Sequence, residues 1–402
     1  AKLNDVVSGV LQNIKQRGDI AVKEYGLKFD KVEIDRLVVS EEEIETAYHN
    51  IDTDLRDAIQ LAHDNIKVFH ESQIFESKKI QTITGVYCWQ KATAIEKVGL
   101  YIPGGTAPLF STVLMLATPA KIAGCKEIVL CTPPNRDGNV HPAILVAAKI
   151  AGVSKIIKAG GVQAIGAMAY GTESVPKVYK IFGPGNRYVT LAKQLVSGRN
   201  TSIDMPAGPS EVMVMADESA DARFVAADLL SQAEHGRDSQ AMVVCNSESL
   251  AEAVMAEVER QAALLSRGEY IAESLKNSRA VVFANCQEMI DFANAYAAEH
   301  LIVSMQDAWS VVDKITAAGS IFVGNYSPES AGDYASGTNH TLPTSGWAHS
   351  CSGVNVDSFM RKMTIQELSK EGLQGLSTTI VAMADAEGLE AHAAAVKVRM
   401  KD

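Results

Sequence analysis

Short apolar strands and helices alternate along most of this chain from Val98 onward, and this alternation restricts the fold more than any other feature. It predicts right-handed βαβ units, in which parallel strands form a sheet that helices cover on both faces. The predicted strands are residues 98–102, 127–132, 155–158, 178–182, 212–216, 241–245, 280–283, 301–303 and 320–323.

The alternation restarts after Ser210, so the sequence predicts two doubly wound halves with boundaries near Gly99 and Ser210. Apolar residues at helical spacing predict helices over residues 6–25 and 55–69, ahead of the first half. A helical arm is predicted beyond Val354.

Length and composition narrow the class of protein. The chain has 402 residues, more than one ordinary core holds, which favours two large domains. A net charge of −11 disfavours nucleic acid and anionic membranes as partners and leaves small molecules. The six cysteines form no CxxC pair, as is usual in reduced cytosolic proteins, so a cytoplasmic location is expected. The longest uncharged apolar segment, residues 98–120, is broken by prolines and glycines and predicts no membrane span.

Three glycine-containing loops follow strands of the first half, at residues 101–105, 159–163 and 182–186. Open α/β sheets bind ligands beyond the carboxyl ends of their strands. Glycine lets backbone N–H groups approach a phosphate, so the three loops together favour a dinucleotide site. The GxGxxG fingerprint is absent, and each loop taken alone also fits a simple turn.

Gln232 and His235 are predicted to share one face of the last turn of a helix that ends at a left-handed Gly236. An amide oxygen and an imidazole aimed at one point would form half of a metal site. The same pair also fits a surface glutamine beside a histidine that complements the helix dipole. This stretch alone leaves both interpretations open.

Glu299 and His300 directly precede a predicted strand, so both side chains can reach one cleft. A carboxylate and a neutral imidazole are two groups that accept protons near neutral pH. The alternative is a buried histidine that only completes the edge of a strand.

Two further segments carry candidate ligands. Residues 329–344 form a run of small and polar residues that cannot build a core, and Asp333 and His340 within it are candidate ligands or substrate contacts. In the arm, His392 lies in an apolar helical stripe, one turn after Glu387. A histidine in such a stripe is more often a packed core residue than a ligand.

Taken together, these motifs resemble the histidinol dehydrogenase family, and the likeness extends from the first helix to the last. Four separate ligand motifs in the right order make a chance agreement negligible. The segments that carry the resemblance are residues 98–105, 183–186, 204–211, 232–236, 299–301 and 332–340, together with His392.

The resemblance implies an NAD-dependent enzyme that oxidises L-histidinol to L-histidine through a bound aldehyde, with two NAD⁺, in the last steps of histidine biosynthesis. It also implies one Zn²⁺ per subunit, which orients the substrate. The implied zinc ligands are Gln232, His235, Asp333 and His392. In the family the last of these comes from the partner subunit, so an intertwined homodimer is expected, with Glu387 also contributed across the interface.

The resemblance further assigns roles to individual side chains. His300 would remove the alcohol proton, and Glu299 would activate the water that attacks the aldehyde. The implied substrate contacts are Ser210, Gln232, His235, His300, Asp333, His340, Glu387 and His392. The positions implied for the NAD site are Tyr101, Gln163 and Asn186.

The implied fold is two Rossmann-like doubly wound α/β domains of the aldehyde-dehydrogenase type, one inserted in the other, with a small C-terminal helical arm. Residues 1–99 and 211–353 would form a discontinuous domain that carries the metal and catalytic motifs. Residues 100–210 would form the inserted NAD-binding domain, and residues 354–402 the dimerisation arm.

The sequence departs from the family pattern at Ala298, where proline is usual, and at residues 345–347. Ser345 and Trp347 leave open an oxidoreductase of the same scaffold that acts on another alcohol. A zinc-dependent binding protein without catalysis is a second alternative, which the intact Glu299–His300 pair disfavours. A metal-free aldehyde dehydrogenase with a cysteine nucleophile is weaker still, because no cysteine lies in a glycine-rich, electropositive loop near that pair.

Overall fold

The computed structural model describes residues 2–104, 107–198, 201–205 and 208–401. The chain divides into two compact units: residues 1–73 with 95–359, and residues 74–94 with 360–402. Within the described ranges, every helix is too short or too polar to cross a lipid bilayer.

Helices and strands alternate as the sequence predicts. The helices are α1 (Lys2–Phe29), α2 (Glu41–Asn50), α3 (Thr53–Glu71), α4 (Phe110–Ala123), α5 (Pro142–Ala151), α6 (Gly161–Tyr170), α7 (Arg187–Ser197), α8 (Ala222–Ala233), α9 (Glu248–Ala262), α10 (Gly268–Lys276), α11 (Cys286–Tyr296), α12 (Ala308–Val312), α13 (Glu329–Tyr334), α14 (Lys370–Ala386) and α15 (Glu390–Lys397). The strands are β1 (Ile80–Ile83), β2 (Val86–Ala94), β3 (Lys97–Tyr101), β4 (Glu127–Thr132), β5 (Lys155–Lys158), β6 (Lys180–Phe182), β7 (Ser202–Ile203), β8 (Glu211–Ala216), β9 (Gln240–Cys245), β10 (Arg279–Val282), β11 (His300–Ser304), β12 (Ser320–Val323) and β13 (Met360–Leu368).

The first unit contains two parallel five-stranded sheets. The first sheet has the order β5-β4-β3-β6-β7, and the second has the order β10-β9-β8-β11-β12. In each sheet the chain starts near the centre and extends to both edges, which is the doubly wound topology. The predicted α/β fold class is therefore confirmed.

The second sheet is buried on both faces, which explains why its central strand β8 is a continuous apolar run. Val212 and Val214 pack with α8 and α9, whereas Met213 and Met215 pack with α11 and α12 on the opposite face. Successive side chains of a strand point to opposite faces, so a strand with helices on both sides needs apolar residues at every position.

The core of the first sheet includes the N-terminal helix α1. Its apolar residues Val7, Val10, Leu11 and Ile14 pack with α6 and α7 in one buried cluster. The spacing of these residues places them on one face of the helix. The predicted domain boundaries, with residues 1–99 assigned to the domain of the second sheet, stay a prediction.

The second unit is a three-stranded antiparallel sheet, β1-β2-β13, followed by helices α14 and α15. Its strand β13 lies within the segment that the sequence analysis described as a helical arm, and it pairs with β2 over nine residues. Met360–Leu368 mixes polar and apolar residues in no clear alternation, and this pattern gave no strand signal.

Phe182 offers a test of the packing of the first unit. Its ring is fully buried and stacks on Phe359, with ring centroids 4.1 Å apart. We expect Phe182→Ala to lower the free energy of unfolding by about 3–5 kcal/mol, because the truncation leaves a cavity. Urea unfolding followed by circular dichroism measures this loss. Tyr179→Ala is the control, since Tyr179 is 49% exposed. An equal loss of unfolding free energy in both variants would contradict the conclusion that Phe182 is a buried core residue.

Candidate active site

A cavity of about 630 Å³ lies in the first unit, between the two parallel sheets. We call it the His300 cavity. It lies at the carboxyl ends of β3 and β6 in the first sheet, but at the amino ends of β8 and β11 in the second. The cavity therefore lies at the usual ligand-binding end of the strands in the first sheet, but at the opposite end of the strands in the second sheet. Predicted site residues that line this cavity are Ser210, His235, Glu299, His300, Asp333 and His340.

Glu299 and His300 stand together at the start of β11. Helix α11 ends at Ala297, whose left-handed conformation (φ 54°) turns the chain into the strand. Both side chains are bound by the backbone of Glu211 on the neighbouring strand β8. Its N–H donates to Glu299 Oε2 at 2.9 Å, and its carbonyl accepts from His300 Nδ1 at 3.0 Å.

This arrangement assigns the ring protons of His300. Because Nδ1 donates to a carbonyl, the neutral ring carries its proton there, and Nε2 keeps a free lone pair. Nε2 is buried and has no hydrogen-bond partner among the described residues. In its neutral form, His300 can therefore accept a proton at Nε2 from a ligand in the cavity.

Carboxylates surround this single imidazole. Glu299 and Glu329 lie 3.6 and 3.8 Å from His300 Nδ1, and Asp333 lies 3.6 Å from Nε2. Burial alone would lower the pKa of His300, but the carboxylates outweigh it and raise that pKa to about 10. Burial also raises the pKa of Glu299 to about 7. A cation bound beside these three carboxyl groups would favour their ionised forms.

Glu329 is a member of this cluster that the sequence analysis did not single out. Its carboxylate is buried, and neither oxygen has a hydrogen-bond partner among the described residues. Burial raises the pKa of Glu329 to about 8. Residues 329–334 form a short helix, in which positions 329 and 333 share a face. A helical interpretation of this polar stretch would have paired Glu329 with Asp333.

Gln232 and His235 lie at the end of α8, as predicted, but the helix ends differently. It ends at Ala233, so His235 lies in the following turn, and Gly236 does not have a positive φ. The predicted left-handed stop at Gly236 is therefore wrong; backbone bonds from Glu234 and His235 to α8 carbonyls close the end instead.

The two side chains nevertheless converge. Gln232 Nε2 lies 2.9 Å from His235 Nδ1, and Gln232 Oε1 is buried without a partner among the described residues. Burial lowers the pKa of His235, which favours the neutral form that can bind a metal. The alternative of a surface glutamine is wrong, because Gln232 is fully buried.

The chemistry of these groups fits a divalent metal. The orphaned amide oxygen of Gln232, the neutral imidazole of His235 and the carboxylate of Asp333 are oxygen and nitrogen donors of the kind that zinc binds. Ligand atoms of His300, Glu329 and Asp333 also lie within 4.8 Å of one another, so Asp333 belongs to a second group that could hold an ion.

Glu387 and His392 lie in the second unit, at the end of α14 and within α15. Both side chains are exposed in the single chain. The alternative that His392 is a packed core residue is therefore wrong.

His340 has both ring nitrogens engaged by the protein. Nδ1 donates to the carbonyl of Asp333 at 2.9 Å, and the hydroxyl of Thr112 donates to Nε2 at 3.1 Å. These bonds fix the tautomer and the orientation of the ring. Any contact of His340 with a ligand in this arrangement is made through the carbon atoms of its ring.

A second cavity of about 760 Å³ contains the three predicted cofactor positions, Tyr101, Gln163 and Asn186. We call it the Tyr101 cavity. It shares Gly104 and Ala107 with the His300 cavity, so the two are neighbours. Gly105 lies outside the described residues. No cysteine lines the described part of either cavity, which disfavours a thiol nucleophile.

The predicted cofactor positions also have structural roles. The Tyr101 hydroxyl accepts a bond from Gly161 N at 3.0 Å, and the Asn186 side chain caps α7 by accepting bonds from two backbone N–H groups. Gly183 N donates to Asp204, so the N–H groups of Gly161 and Gly183 are used by the protein itself. Gly183 has φ 125°, and a Cβ there would overlap the carbonyl oxygen of Tyr101. Close approach of protein segments thus accounts for this glycine.

Comparison with known proteins identifies the family of this chain. The profile of the family described as Histidinol dehydrogenase matches residues 1–400. A histidinol dehydrogenase from Bacteroides fragilis is 60% identical over 400 residues, covering 100% of this chain and 94% of that protein. One from Escherichia coli is 51% identical, covering 98% and 90%.

Solved structures give the same result. The crystal structure of histidinol dehydrogenase from Elizabethkingia anophelis superposes with a TM-score of 0.98 at 51% identity, covering 99% of this chain and 92% of that one. Lactaldehyde dehydrogenase from Escherichia coli, at 12% identity and a TM-score of 0.54, shares the fold alone; it covers 88% and 91%. The chain belongs to the histidinol dehydrogenase family.

Proposed function

We propose that this chain oxidises L-histidinol to L-histidine through bound L-histidinaldehyde, in the last steps of histidine biosynthesis. The observation that carries the proposal is the buried Glu299–His300 pair, whose free Nε2 faces the same cavity as His235 and Asp333. The proposed reaction consumes two NAD⁺, each of which accepts one hydride when bound.

In the first oxidation, His300 accepts the hydroxyl proton of histidinol at Nε2. Its Nδ1 stays bonded to the carbonyl of Glu211, so the ring keeps its orientation while it changes charge. The neighbouring carboxylates stabilise the imidazolium that forms. This step leaves the aldehyde in the cavity.

In the second oxidation, Glu299 takes a proton from the water that attacks the aldehyde carbon. The raised pKa of Glu299, about 7, suits a group that accepts a proton near neutral pH. The bond from Glu211 N holds Oε2 in place during this transfer. The hydrate that forms loses the second hydride to NAD⁺ and one further proton to solvent, and it becomes the carboxylate of histidine.

One Zn²⁺ per subunit would be held by Gln232, His235, Asp333 and His392. The carboxyl groups of Glu329 and Asp333 and the orphaned Gln232 oxygen support the part of this site that lies in the first unit. When bound, the metal would anchor the imidazole and amine of histidinol. The remaining substrate contacts in the proposal are Ser210, His300, His340 and Glu387.

We further propose an intertwined homodimer in which His392 and Glu387 of each chain complete the site of the other. Their exposure in the single chain supports this assignment. Tyr101, Gln163 and Asn186 would contact NAD⁺, since all three line the Tyr101 cavity. Six free cysteines support the proposed cytoplasmic location.

An oxidoreductase for another alcohol remains the second candidate. In the sequence, Ser345 and Trp347 leave this candidate open, but neither residue lines the described part of the His300 cavity. Ser345 instead donates its N–H to Glu211 Oε1 at 2.8 Å. These two departures therefore give little reason to expect a different substrate.

The substrate is tested with a panel of alcohols. We expect NADH formation at 340 nm with L-histidinol and little with histamine or L-alaninol, because these lack the hydroxymethyl group or the imidazole. Activity with another alcohol but none with L-histidinol would refute the proposed substrate.

Two histidine variants separate metal binding from proton transfer. His300→Asn should keep the metal and lose about 10²–10⁴-fold in turnover, the usual contribution of a general base. His235→Asn should lose the metal, because it removes an imidazole donor. Elemental analysis of the purified variants, with the NADH assay, measures both. Full metal content in His235→Asn would show that His235 is not a ligand.

The role of His340 is tested through Thr112, which is 3% exposed. Thr112→Val keeps the shape but removes the hydroxyl that fixes Nε2 of His340. We expect kcat/KM for L-histidinol to fall by up to about tenfold, the effect of one lost hydrogen bond. Thr112→Ser keeps the hydroxyl and is the control. Equal rates in both variants would mean that this bond is not needed.

A further inference from the structure

The Tyr101 cavity is lined by a single acidic side chain, Asp30, and by no lysine or arginine among the described residues. We propose that Asp30 selects NAD⁺ over NADP⁺ by accepting hydrogen bonds from the hydroxyl groups of the adenosine ribose. This inference rests on the proposed use of NAD⁺. Asp30 is not among the cofactor positions that the sequence analysis assigned.

Asp30 follows the last residue of α1, and two hydrogen bonds position it there. Its backbone N–H donates to Gly26 O at 2.8 Å. Its Oδ2 accepts a bond from Gln163 Nε2 at 3.3 Å, and Gln163 is 1% exposed. Among the described residues, the one side-chain hydrogen bond of Asp30 is made by Oδ2, which leaves Oδ1 without a protein donor. The carboxylate is therefore oriented by the protein and keeps an oxygen for a ligand.

The chemistry around Asp30 favours a ligand that donates hydrogen bonds. Burial raises the pKa of Asp30, and the hydrogen bond from Gln163 only partly opposes this rise. Tyr101 does not compensate it either, since its hydroxyl lies near Asp30 but carries no positive charge. A vicinal diol supplies two O–H donors to one carboxylate, whereas a phosphate supplies none when ionised.

The 2′-phosphate of NADP⁺ would meet two obstacles here. It would place about two negative charges beside the carboxylate of Asp30. It would also find no lysine or arginine to bind, because neither residue type lines the described part of the cavity. Proteins that accept the 2′-phosphate usually supply an arginine for it.

The position of the two cavities indicates which ribose Asp30 meets. The hydride acceptor must reach the His300 cavity, where the proton acceptor lies. The Tyr101 cavity joins that space at Gly104 and Ala107, and Asp30 does not line the His300 cavity. The adenosine half therefore occupies the Tyr101 cavity, with Pro133 and Ile144 among its apolar walls.

In the common dinucleotide fold the ribose is bound by an acidic residue that follows the glycine fingerprint within the same βαβ unit. Here the fingerprint is absent, and the acid comes from the N-terminal helix, which packs on α6. The inference thus gives α1 a role in binding as well as in packing.

The experiment measures binding without turnover, by isothermal titration of the whole 402-residue chain with ADP-ribose and with ADP-ribose 2′-phosphate. We expect the wild-type chain to prefer ADP-ribose, and Asp30→Asn to reduce that preference by about 10-fold to 100-fold, as for a lost bond to a charged group. The matched control is Asp35→Asn, which removes the same charge from an exposed position outside the cavity. It should keep the wild-type preference.

Equal affinities for the two ligands in the wild-type chain would overturn the inference, as would an unchanged preference in Asp30→Asn. If that variant does not fold, wild-type protein is titrated with 2′-deoxy-ADP-ribose. Binding about tenfold weaker than for ADP-ribose supports the inference, and equal binding overturns it.

A parallel NADH assay separates this inference from the proposed function. Wild-type protein that reduces NAD⁺ with L-histidinol, yet does not distinguish the two ligands, refutes the role of Asp30 alone. Wild-type protein that neither binds ADP-ribose nor forms NADH with L-histidinol refutes both.

Discussion

The site depends on two hydrogen bonds that the backbone of Glu211 makes. Its N–H and carbonyl bind Glu299 and His300, so one peptide segment holds both candidate proton acceptors. These bonds exist because β8 and β11 pair in parallel with His300 opposite Val212. A slip of this register by one residue would turn the side chain of His300 to the other face of the sheet. The apolar residues that alternate between the two faces of β8 prevent such a slip, so the core of the second sheet fixes the geometry of the site.

The relation between the two sheets determines what can meet at this site. The second sheet presents the amino ends of its central strands, where Ser210 and Glu299 lie, and α8 runs back antiparallel to them and brings Gln232 and His235 to the same edge. The first sheet presents carboxyl ends and the loops that follow them. The two cavities share Gly104 and Ala107, so a ligand bound mainly in one can place its end in the other. An enzyme that transfers hydride between a small substrate and a long cofactor needs such an arrangement.

Much of this could be predicted from the sequence, because strand–helix alternation and apolar runs directly reflect burial on two faces. Motif order, through the family resemblance, predicted six of the side chains that line the His300 cavity, whereas Glu387 and His392 lie in the second unit. Three features of the structure were not predicted from the sequence. Glu329 lies in a six-residue helix, too short for a periodic signal, and β13 lacks the alternation of a half-buried strand. The end of α8 is closed by backbone hydrogen bonds. These bonds do not depend on the identity of Gly236, so the residue types at this position do not predict them.

The carboxyl groups around His300 connect the fold to the proposed chemistry. Glu299, Glu329 and Asp333 lie around one imidazole in a buried space, and both oxygens of Glu329 lack partners among the described residues. Burying carboxylates costs free energy unless positive charge compensates them. His300 supplies at most one such charge, and the nearby His235 and His340 are held neutral because burial lowers their pKa. Without further positive charge, burial raises the pKa of Glu299 to about 7 and that of Glu329 to about 8, so both carboxyls hold protons near neutral pH, and a bound cation would favour their ionised forms. A divalent metal and the protonated amine of histidinol are both cations, so binding them would relieve the repulsion within the cluster. The same binding would reduce the field that raises the pKa of His300, leaving its Nε2 deprotonated and able to accept the proton of the alcohol.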